Sequence, residues 1–365
     1  MFAQKLIHWY EIHKRDLPWR NIKDAYKIWL SEIILQQTRV QQGMPYYLRF
    51  VENFPTISDL ALASEQEVLR LWQGLGYYSR ARNMHHTAKH IHENLNALFP
   101  TTYEQILKLK GVGEYTAAAI ASFAFEEKVA VLDGNVFRVL SRVFGIWEDI
   151  LSHQGKKIFA KKAAELLPDS QVSTYNQAVM EFGALHCKPV NPNCEFCPFA
   201  DHCFAFQNNK QKELPVKTKK SKSKERNFMF FVIESEKKLM LKVRKEGDIW
   251  QGLFDFPKAE ENDIFQEMKE KIEKEEILFF SNEKKLTLAD TNLSFELVNE
   301  SKNYKHILTH QKIFAKFVHL KVNKNLSEII LQKTDLQLFS EKEIISLPKP
   351  KLIVNYLNDY FSKKF

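Results

Sequence analysis

The four cysteines of this chain fall within one short stretch near its middle. Their spacing, C-x6-C-x2-C-x5-C, keeps the intervening loops short enough to bring all four sulfurs to one metal centre. Structural zinc is one possible occupant, but it more often uses two C-x2-C pairs far apart in the chain. One tight pair with an outlier on each side favours an iron–sulfur cluster. We therefore expect a metal centre held by Cys187, Cys194, Cys197 and Cys203.

Two glycines, Gly111 and Gly113, lie between two predicted helices. Glycine lets the backbone turn tightly and leaves N–H groups free at the start of the second helix, where they bind a phosphate without reading base sequence. A bare Gly-x-Gly more often marks an ordinary turn. Between two short amphipathic helices of a basic protein, it indicates a helix-hairpin-helix DNA-binding element over about residues 102–125.

Two carboxylates have surroundings that suit acid–base chemistry. Glu32 lies within the apolar segment WLSEIIL, where burial would favour the neutral form and let it act as an acid. The alternative is that Glu32 lies on the polar face of its helix, and the residues alone do not decide between the two. Asp133 precedes a predicted helix that begins near Asn135. Taken alone, Asp133 is best interpreted as a carboxylate that caps this helix.

The segment that must position these residues, 1–205, has the pattern of a nearly all-helical domain. Apolar residues recur at helical spacing over Tyr26–Arg39 and Asp59–Leu71. Before another predicted helix, Thr101 with Glu104 and Thr102 with Gln105 both fit a capping box. The helix from Asn135 carries an apolar stripe at i, i+3, i+4, i+7 and i+8, formed by Val136, Val139, Leu140, Val143 and Phe144.

The composition changes after this segment. Residues 209–226 are rich in lysine and poor in apolar side chains, which predicts a solvated basic linker. Beyond it, FMFFVIES and LMLKVR predict a hairpin with its turn at Glu236–Lys238, and His310–Val322 predicts another strand. Asp263–Glu276 and Lys351–Phe361 are predicted to be helical. The sequence therefore predicts a multidomain protein: an α domain (1–208), a linker (209–226) and an α+β domain (227–365).

The overall composition limits the kinds of partner. The chain of 365 residues has a formal charge of +8, which favours an anionic partner such as nucleic acid. No apolar run approaches the roughly 18 residues that span a bilayer, and the charged N-terminus is not that of a secretory signal. We therefore expect a cytoplasmic protein without membrane contact, where clustered cysteines favour metal over disulfides. In a bacterium, we expect association with the nucleoid.

Taken together, the motifs resemble the helix-hairpin-helix, iron–sulfur DNA glycosylases, and specifically the MutY adenine glycosylases. The resemblance covers essentially the whole chain. It is carried by LPWR, WLSEIILQQTRV, WQGLGYYSRARN, LKGVGEYTAAA, LDGNVFRVLSR, YNQAVMEFGALHC and the four cysteines, and more weakly by WQGLFDFP at the start of a Nudix-like domain. It implies an all-helical glycosylase domain with a [4Fe–4S] loop at 187–203, followed by a Nudix-like α+β domain.

The resemblance also assigns catalytic roles. Glu32 matches the family's catalytic acid, and Asp133 matches the second carboxylate, which stabilises a developing sugar cation. Asn135 matches an active-site asparagine. Tyr115 stands where endonuclease III-type enzymes have a lysine that forms a Schiff base and cuts the strand. Since tyrosine cannot do so, we expect a monofunctional enzyme that removes the base and leaves an abasic site.

Further positions match residues that recognise DNA. Gln37 and Tyr77 match side chains that wedge into the stack as the target base is flipped out, and Arg20 and Gln177 match positions that line the adenine pocket. The implied partner of the chain, which we expect to be monomeric, is duplex DNA with adenine opposite 8-oxoguanine or guanine. The family's Phe-Ser-His contact for the opposite base reads Leu308, Thr309, His310 here, which keeps the hydroxyl and the histidine but not the aromatic ring.

Two rival functions remain. A bifunctional glycosylase/lyase for oxidised pyrimidines is disfavoured by Tyr115 and by the second domain. A catalytically inert lesion sensor is disfavoured because Glu32 and Asp133 are both present. Nucleotide hydrolysis by the second domain is not expected, because residues 258–277 contain many acids but lack the Arg-Glu pair and the glycine of a Nudix box.

Overall fold

The structure is a computed structural model that describes residues 2–218, 224–247, 249–260, 295–308 and 310–362. It divides into two compact units. The first comprises Met1–Ala63 and Asn83–Lys220, and the second comprises Ser64–Arg82 and Ser221–Phe365. Ser64–Arg82 therefore groups with the second unit, although it lies within the predicted helical domain. The predicted boundaries near residues 208 and 227 stay predictions.

Helices follow one another through residues 2–207, as the apolar spacing predicts. In the described chain they are α1 (Phe2–His13), α2 (Ala25–Leu35), α3 (Val40–Asn53), α4 (Ile57–Leu62), α5 (Glu65–Trp72), α6 (Ser79–Asn94), α7 (Tyr103–Leu107), α8 (Glu114–Phe125), α9 (Gly134–Phe144), α10 (His153–Glu165), α11 (Val172–Leu185) and α12 (Phe204–Gln207), with a short 3-10 helix at Ala200–His202. Within residues that the structure describes, no helix has the length and apolar content to cross a membrane.

The core of the first unit is centred on α9 and α11. The predicted stripe of α9 is confirmed: Val136, Val139, Leu140 and Val143 are all buried, in one cluster with side chains of α1 and α11. Gly183 of α11 allows a close approach, because a Cβ there would lie 2.6 Å from the Cβ of Asn135. This packing fixes the start of α9, which carries Asp133 and Asn135.

The helix prediction over Asp59–Leu71 is wrong in one respect. The segment is two helices, because α4 ends at Leu62 and Ser64 starts α5. The Ser64 hydroxyl accepts a hydrogen bond from the Glu67 N–H while the Glu67 carboxylate accepts one from the Ser64 N–H, which makes a complete capping box. Of the two capping boxes predicted before α7, only Thr102 acts as the cap, accepting from the Gln105 N–H.

Part of the predicted linker is packed in the first unit instead of being solvated. Leu214 is buried in the core cluster, and its carbonyl accepts a hydrogen bond from Arg142 at 3.0 Å. The Ile150 N–H donates to the Val216 carbonyl at 3.2 Å, and Asp149 accepts from the Thr218 N–H. The lysine-rich composition did not indicate these contacts, because a few apolar residues are enough to anchor a segment that is otherwise polar.

The second unit contains a mixed sheet. Its described strands are β1 (Lys224–Ser235), β2 (Lys238–Val243), β3 (Phe254–Asp255), β4 (Lys258–Ala259), β5 (Phe295–Glu300), β6 (Tyr304–Ile307), β7 (Gln311–Val322) and β8 (Gln337–Phe339). The order is β3-β2-β1-β7-β5, with β4 beside β1, β6 beside β7 and β8 beside β2. Only β1 and β7 pair in parallel among these strands.

The predicted hairpin and the long strand are confirmed. The β1–β2 turn places Glu236 and Lys237 at positive φ, and β7 begins at Gln311. Helices over Lys324–Lys333, Glu341–Ser346 and Lys351–Ser362 follow, of which the last was predicted. Leu320 and Ile330 pack in a core cluster on one face of the sheet, while Phe317 stacks on Tyr356 with ring centroids 4.0 Å apart. The predicted helix over Asp263–Glu276 lies outside the described residues.

Candidate active site

Glu32 is buried in α2, and its carboxylate is the centre of the site. The Tyr115 hydroxyl, from the first turn of α8, donates a hydrogen bond of 2.6 Å to Glu32 Oε2. Burial raises the pKa of Glu32 to about 7, against the opposing effect of the Tyr115 hydrogen bond, and the nearby Asp133 charge raises it further. A carboxyl group with this pKa holds a proton near neutral pH and can donate it. Of the two interpretations of Glu32, the buried acid is the one observed.

Asp133 caps α9, as its position predicts. One oxygen accepts hydrogen bonds from the backbone N–H groups of Asn135 at 2.8 Å and Val136 at 2.7 Å. The other accepts one from the Asn135 side-chain amide at 2.6 Å. Burial raises the pKa of Asp133 above its ordinary value, and these donors offset part of the rise. Three N–H donors stabilise the Asp133 carboxylate, whereas Glu32 accepts a single hydrogen bond from a hydroxyl, so the two carboxyl groups are suited to different protonation states.

One cavity of about 570 Å³ is lined by both carboxylates. A cavity of this size is typical of a site for a small organic group. Six of the sequence-predicted site residues share its lining: Arg20, Glu32, Tyr115, Asp133, Asn135 and Gln177. The four catalytic candidates and the two adenine-pocket candidates therefore lie together. They come from α2, α8, the start of α9, α11 and the loop before α2 that carries Arg20.

Glu181 is a charged residue of this cavity that the sequence reasoning missed. It is completely buried, and its carboxylate accepts hydrogen bonds from Arg15 at 2.7 and 2.6 Å and from Arg20 at 2.5 Å. Burial opposes ionisation, but the two arginines lower the pKa of Glu181 to about 2. A glutamate inside the otherwise apolar segment AVMEFGAL was the available signal. The triad fixes Arg20 at the cavity wall, where one buried guanidinium nitrogen, Nη1, has no hydrogen-bond partner among the residues that the structure describes.

Gln177 of α11 also lines this cavity. Its Oε1 accepts a hydrogen bond of 3.1 Å from the Tyr10 hydroxyl, and its Nε2 donates one of 3.1 Å to the Ser173 hydroxyl. The Arg20 guanidinium lies over the Tyr10 ring, 5.4 Å from its centroid. Polar groups held by neighbours in this way are suited to hydrogen-bond the edge of a planar base.

The glycine hairpin joins α7 to α8. Gly111 has φ +79°, and a Cβ there would lie 2.7 Å from the Cβ of Asn83, so the turn requires glycine. Gly113 is the N-cap of α8, and a Cβ there would meet no atom within 4 Å. The open side of Gly113 leaves room for a phosphate at the start of α8. Tyr115 is in the first turn of the same helix, so α8 carries both the glycine hairpin at its start and the hydroxyl that contacts Glu32.

The four cysteines line one cavity, as their spacing predicts. All four are free of disulfide bonds. In the described parts of the chain, no three His, Cys, Asp or Glu side chains are placed to hold a metal ion. Arg142 of α9 holds the loop: its guanidinium donates to the carbonyls of Lys188, Pro189 and Gln211 and lies 3.6 Å from the Cys187 sulfur. Four free thiols around one space are a donor set that both iron–sulfur clusters and structural zinc use.

The residues predicted to recognise the flipped base and its partner lie in both units. Gln37, in the first unit, is exposed and has φ +56°. In the second unit, Tyr77, Leu308 and His310 line one cavity of about 530 Å³. Thr309, the predicted hydroxyl contact, lies outside the described residues. Trp250 and Arg82 also line this cavity and were not identified from the sequence.

Comparison with known proteins agrees with this geometry. Residues 30–169 match the HhH-GPD superfamily of base excision DNA repair proteins, and residues 228–359 match the NUDIX domain. A thermostable thymine-DNA glycosylase of known structure is 28% identical, with a TM-score of 0.53 over 57% of this chain and 95% of that chain. The class is therefore a helix-hairpin-helix base excision DNA repair protein with a Nudix-like domain, and the predicted fold class is confirmed.

The family follows from relatives that match over most of their length. An adenine DNA glycosylase of Buchnera aphidicola (subsp. Baizongia pistaciae) is 33% identical over 353 residues, which is 96% of this chain and 94% of that protein. The adenine DNA glycosylase of Homo sapiens is 42% identical over 222 residues, 58% of this chain and 41% of that protein. The chain belongs to the adenine DNA glycosylase family, whose members are DNA N-glycosylases. The resemblance inferred from the sequence motifs is confirmed.

Proposed function

We propose that this protein flips adenine out of duplex DNA where it lies opposite 8-oxoguanine or guanine, and hydrolyses its N-glycosidic bond without cutting the strand. The observation that carries the proposal is the cavity that holds a carboxylic acid with a pKa of about 7 beside a capped carboxylate. A base inside the duplex cannot reach a buried carboxyl group, so it must leave the stack.

In the proposed reaction, Glu32 donates its proton to a ring nitrogen of adenine as the bond from the sugar C1′ to the base breaks. The electron pair of that bond leaves with the base, and the sugar becomes oxocarbenium-like. The Asp133 carboxylate, which accepts hydrogen bonds from the N–H groups of Asn135 and Val136, stabilises the positive charge. Water then adds to C1′ and gives its proton to the Glu32 carboxylate, which restores the acid.

The remaining residues of the cavity orient the base. Arg20 has a buried nitrogen with no hydrogen-bond partner in the described part of the chain, so it is available to donate, and Gln177 is held by Tyr10 and Ser173. We assign both to the edge of the extruded adenine. Tyr115 keeps Glu32 in place through its 2.6 Å hydrogen bond and carries no amine, so no Schiff base forms. Gln37 and Tyr77 are assigned to the space that the base leaves, and Gly111 and Gly113 to a DNA phosphate.

We also propose that Cys187, Cys194, Cys197 and Cys203 hold a [4Fe–4S] cluster, whose role when bound is to stabilise its loop. The four free thiols that share one cavity, and the hold of Arg142 on the loop, support this assignment. Iron and acid-labile sulfide analysis of the purified protein tests it, with a Cys197→Ser variant as the comparison. About four iron and four sulfide per chain are expected in the parent protein. Zinc in place of iron would contradict the proposal.

The activity is tested on duplexes that contain adenine opposite 8-oxoguanine, adenine opposite guanine, or thymine glycol. The expected result is adenine release from the first two, with strand breaks only after alkali treatment. Glu32→Gln should bind the duplex and release no adenine, because the amide cannot donate the proton. Direct cutting at thymine glycol would favour the glycosylase/lyase alternative, and binding without any base release would favour the lesion sensor.

A further inference from the structure

Tyr10 of α1 contacts both residues that are assigned to the adenine edge, but it does not itself line their cavity. It is buried, with 4% of its surface exposed. Its hydroxyl donates a hydrogen bond of 3.1 Å to Gln177 Oε1, and the Arg20 guanidinium lies over its ring, 5.4 Å from the centroid. The described lining of the cavity includes Arg20 and Gln177 but not Tyr10. Tyr10 therefore acts on a bound base only through these two side chains.

The side-chain amide of Gln177 has two orientations that fill the same space. A half-turn of the amide exchanges its carbonyl oxygen for its NH2 group, and so exchanges a hydrogen-bond acceptor for a donor. The second neighbour of this amide is Ser173, whose hydroxyl oxygen lies 3.1 Å from Gln177 Nε2. A hydroxyl group can both donate and accept, so Tyr10 and Ser173 by themselves are compatible with either orientation.

Arg20 removes this ambiguity. A guanidinium group is positively charged and has only N–H donors, so a neighbouring hydroxyl turns its lone pairs toward it and its proton away from it. Burial raises the pKa of Tyr10, the Arg20 charge opposes this rise, and the smaller effect of the Glu181 charge adds to it. The positive charge of Arg20 thus dominates at the hydroxyl oxygen. The Tyr10 proton is directed to Gln177, which places the carbonyl oxygen of the amide toward Tyr10.

A buried ion pair therefore sets the direction of donation along this row of side chains. Glu181 accepts from Arg20 at 2.5 Å and holds the guanidinium in place. Donation then runs from Tyr10 to Gln177 and from Gln177 to Ser173. Gln177 Nε2 keeps one N–H that makes no hydrogen bond to the described part of the chain. The unprotonated ring nitrogens of adenine are acceptors, so this N–H matches them, whereas a rotated amide would present a second acceptor.

We propose that Tyr10 is a positioning residue that holds the Gln177 amide with its free N–H toward the extruded adenine. The inference rests on the proposed function and adds the group that sets which end of the amide meets the base. Without the Tyr10 hydroxyl, the amide oxygen loses its donor in the original orientation. The rotated orientation is then favoured, because its oxygen accepts a hydrogen bond from the Ser173 hydroxyl instead. Adenine must reverse this rotation before it is bound correctly.

The test is a double-mutant cycle on the rate of single-turnover adenine release. Tyr10→Phe keeps the ring, removes the hydroxyl and should slow release by about three- to tenfold, the range expected for one neutral hydrogen bond. The slowing should be the same opposite 8-oxoguanine and opposite guanine, with the duplex Kd within about twofold of the parent, because Tyr10 acts only on the adenine side. Gln177→Leu has no amide to orient, so adding Tyr10→Phe to it should change the rate by less than about twofold.

Tyr175→Phe is the matched control, because it removes another buried tyrosine hydroxyl from the same core cluster, outside the cavity lining. It should leave the rate of adenine release close to that of the parent. If Tyr175→Phe slows release as much as Tyr10→Phe does, the role of Tyr10 is only structural and the inference is wrong. An unchanged rate in Tyr10→Phe, or equal slowing with and without the Gln177 amide, would also overturn it. If the parent protein itself releases no adenine, the proposed function fails instead, so the two failures are distinguishable.

Discussion

The hydrogen bond from Tyr115 to Glu32 gives a sharp prediction for the pH dependence of adenine release. Burial raises the pKa of Glu32 from its ordinary value of 4.5 to about 7, and the Tyr115 hydroxyl lowers it by stabilising the carboxylate. The active form of Glu32 is the protonated one. Activity is therefore present below pH 7 and is lost as the pH rises through the pKa of the folded protein.

The magnitude follows from these two values. At pH 7 a carboxyl group with a pKa of 4.5 is only about 0.3% protonated, whereas one with a pKa of 7 is about half protonated. Burial thus increases the fraction of active acid by roughly 150-fold at this pH. The rate should fall by about fivefold between pH 7 and pH 8 and by about tenfold for each pH unit above that.

Tyr115→Phe removes the hydroxyl and leaves the ring. A hydrogen bond to a charged group contributes about 1.5–3 kcal/mol, part of which water replaces, so we expect the basic limb of the profile to move up by about one pH unit. The assay is single-turnover adenine release measured from about pH 5.5 to about pH 9 in both proteins. A limb that moves to lower pH, or a parent rate that is flat between about pH 6 and about pH 9, would refute the assignment of Glu32 as the acid.

Three further predictions concern stability and DNA binding. Because the folded-state pKa of Glu32 is raised, the contribution of Glu32 to stability falls as the pH rises from 4.5 to about 7. Glu32→Gln does not ionise, so its advantage in urea unfolding should grow by about 2–3 kcal/mol between pH 4.5 and pH 8, and an equal advantage at both pH values would contradict this. Glu181→Gln leaves Arg20 buried without its ion pair and should lower the free energy of unfolding by about 3–5 kcal/mol. The control Glu165→Gln breaks a surface pair with Lys162 and should lower it by under about 1 kcal/mol. Similar losses in the two variants would count against the buried triad. Gly111→Ala should lower the melting temperature, because its Cβ would meet Asn83. Gly113→Ala should keep the fold, because its Cβ would meet no atom, and should weaken DNA binding in a filter-binding assay. Loss of stability in both variants, or normal binding in Gly113→Ala, would contradict the assignment of a phosphate site to the hairpin.

Much of the catalytic site could be predicted because its signals are local in the sequence. Glu32 lies inside an apolar helix, Asp133 stands one step before a helix, and the cysteines repeat at short intervals. Each pattern depends on neighbours within one or two turns, which a single sequence contains. The apolar stripe of α9 was predictable for the same reason.

The rest depends on contacts between distant residues. Glu181 accepts a hydrogen bond from Arg20 across 161 positions, and the Gln251 carbonyl accepts one from Arg82 across 169 positions. Periodicity carries no information on such pairs. The break at Ser64 was missed because the apolar spacing continues across it, although the capping box of Ser64 and Glu67 marked it.

The central claim is that Glu32 protonates an extruded adenine and that no amine attacks the sugar. The most direct measurement is chromatography of free adenine and of strand length from one reaction, on a duplex with adenine opposite 8-oxoguanine, for the parent protein and Glu32→Gln. We expect free adenine and an intact strand until alkali is added for the parent protein, and duplex binding without adenine release for Glu32→Gln. Adenine release at the parent rate by Glu32→Gln, or strand breaks in step with base release, would contradict the account.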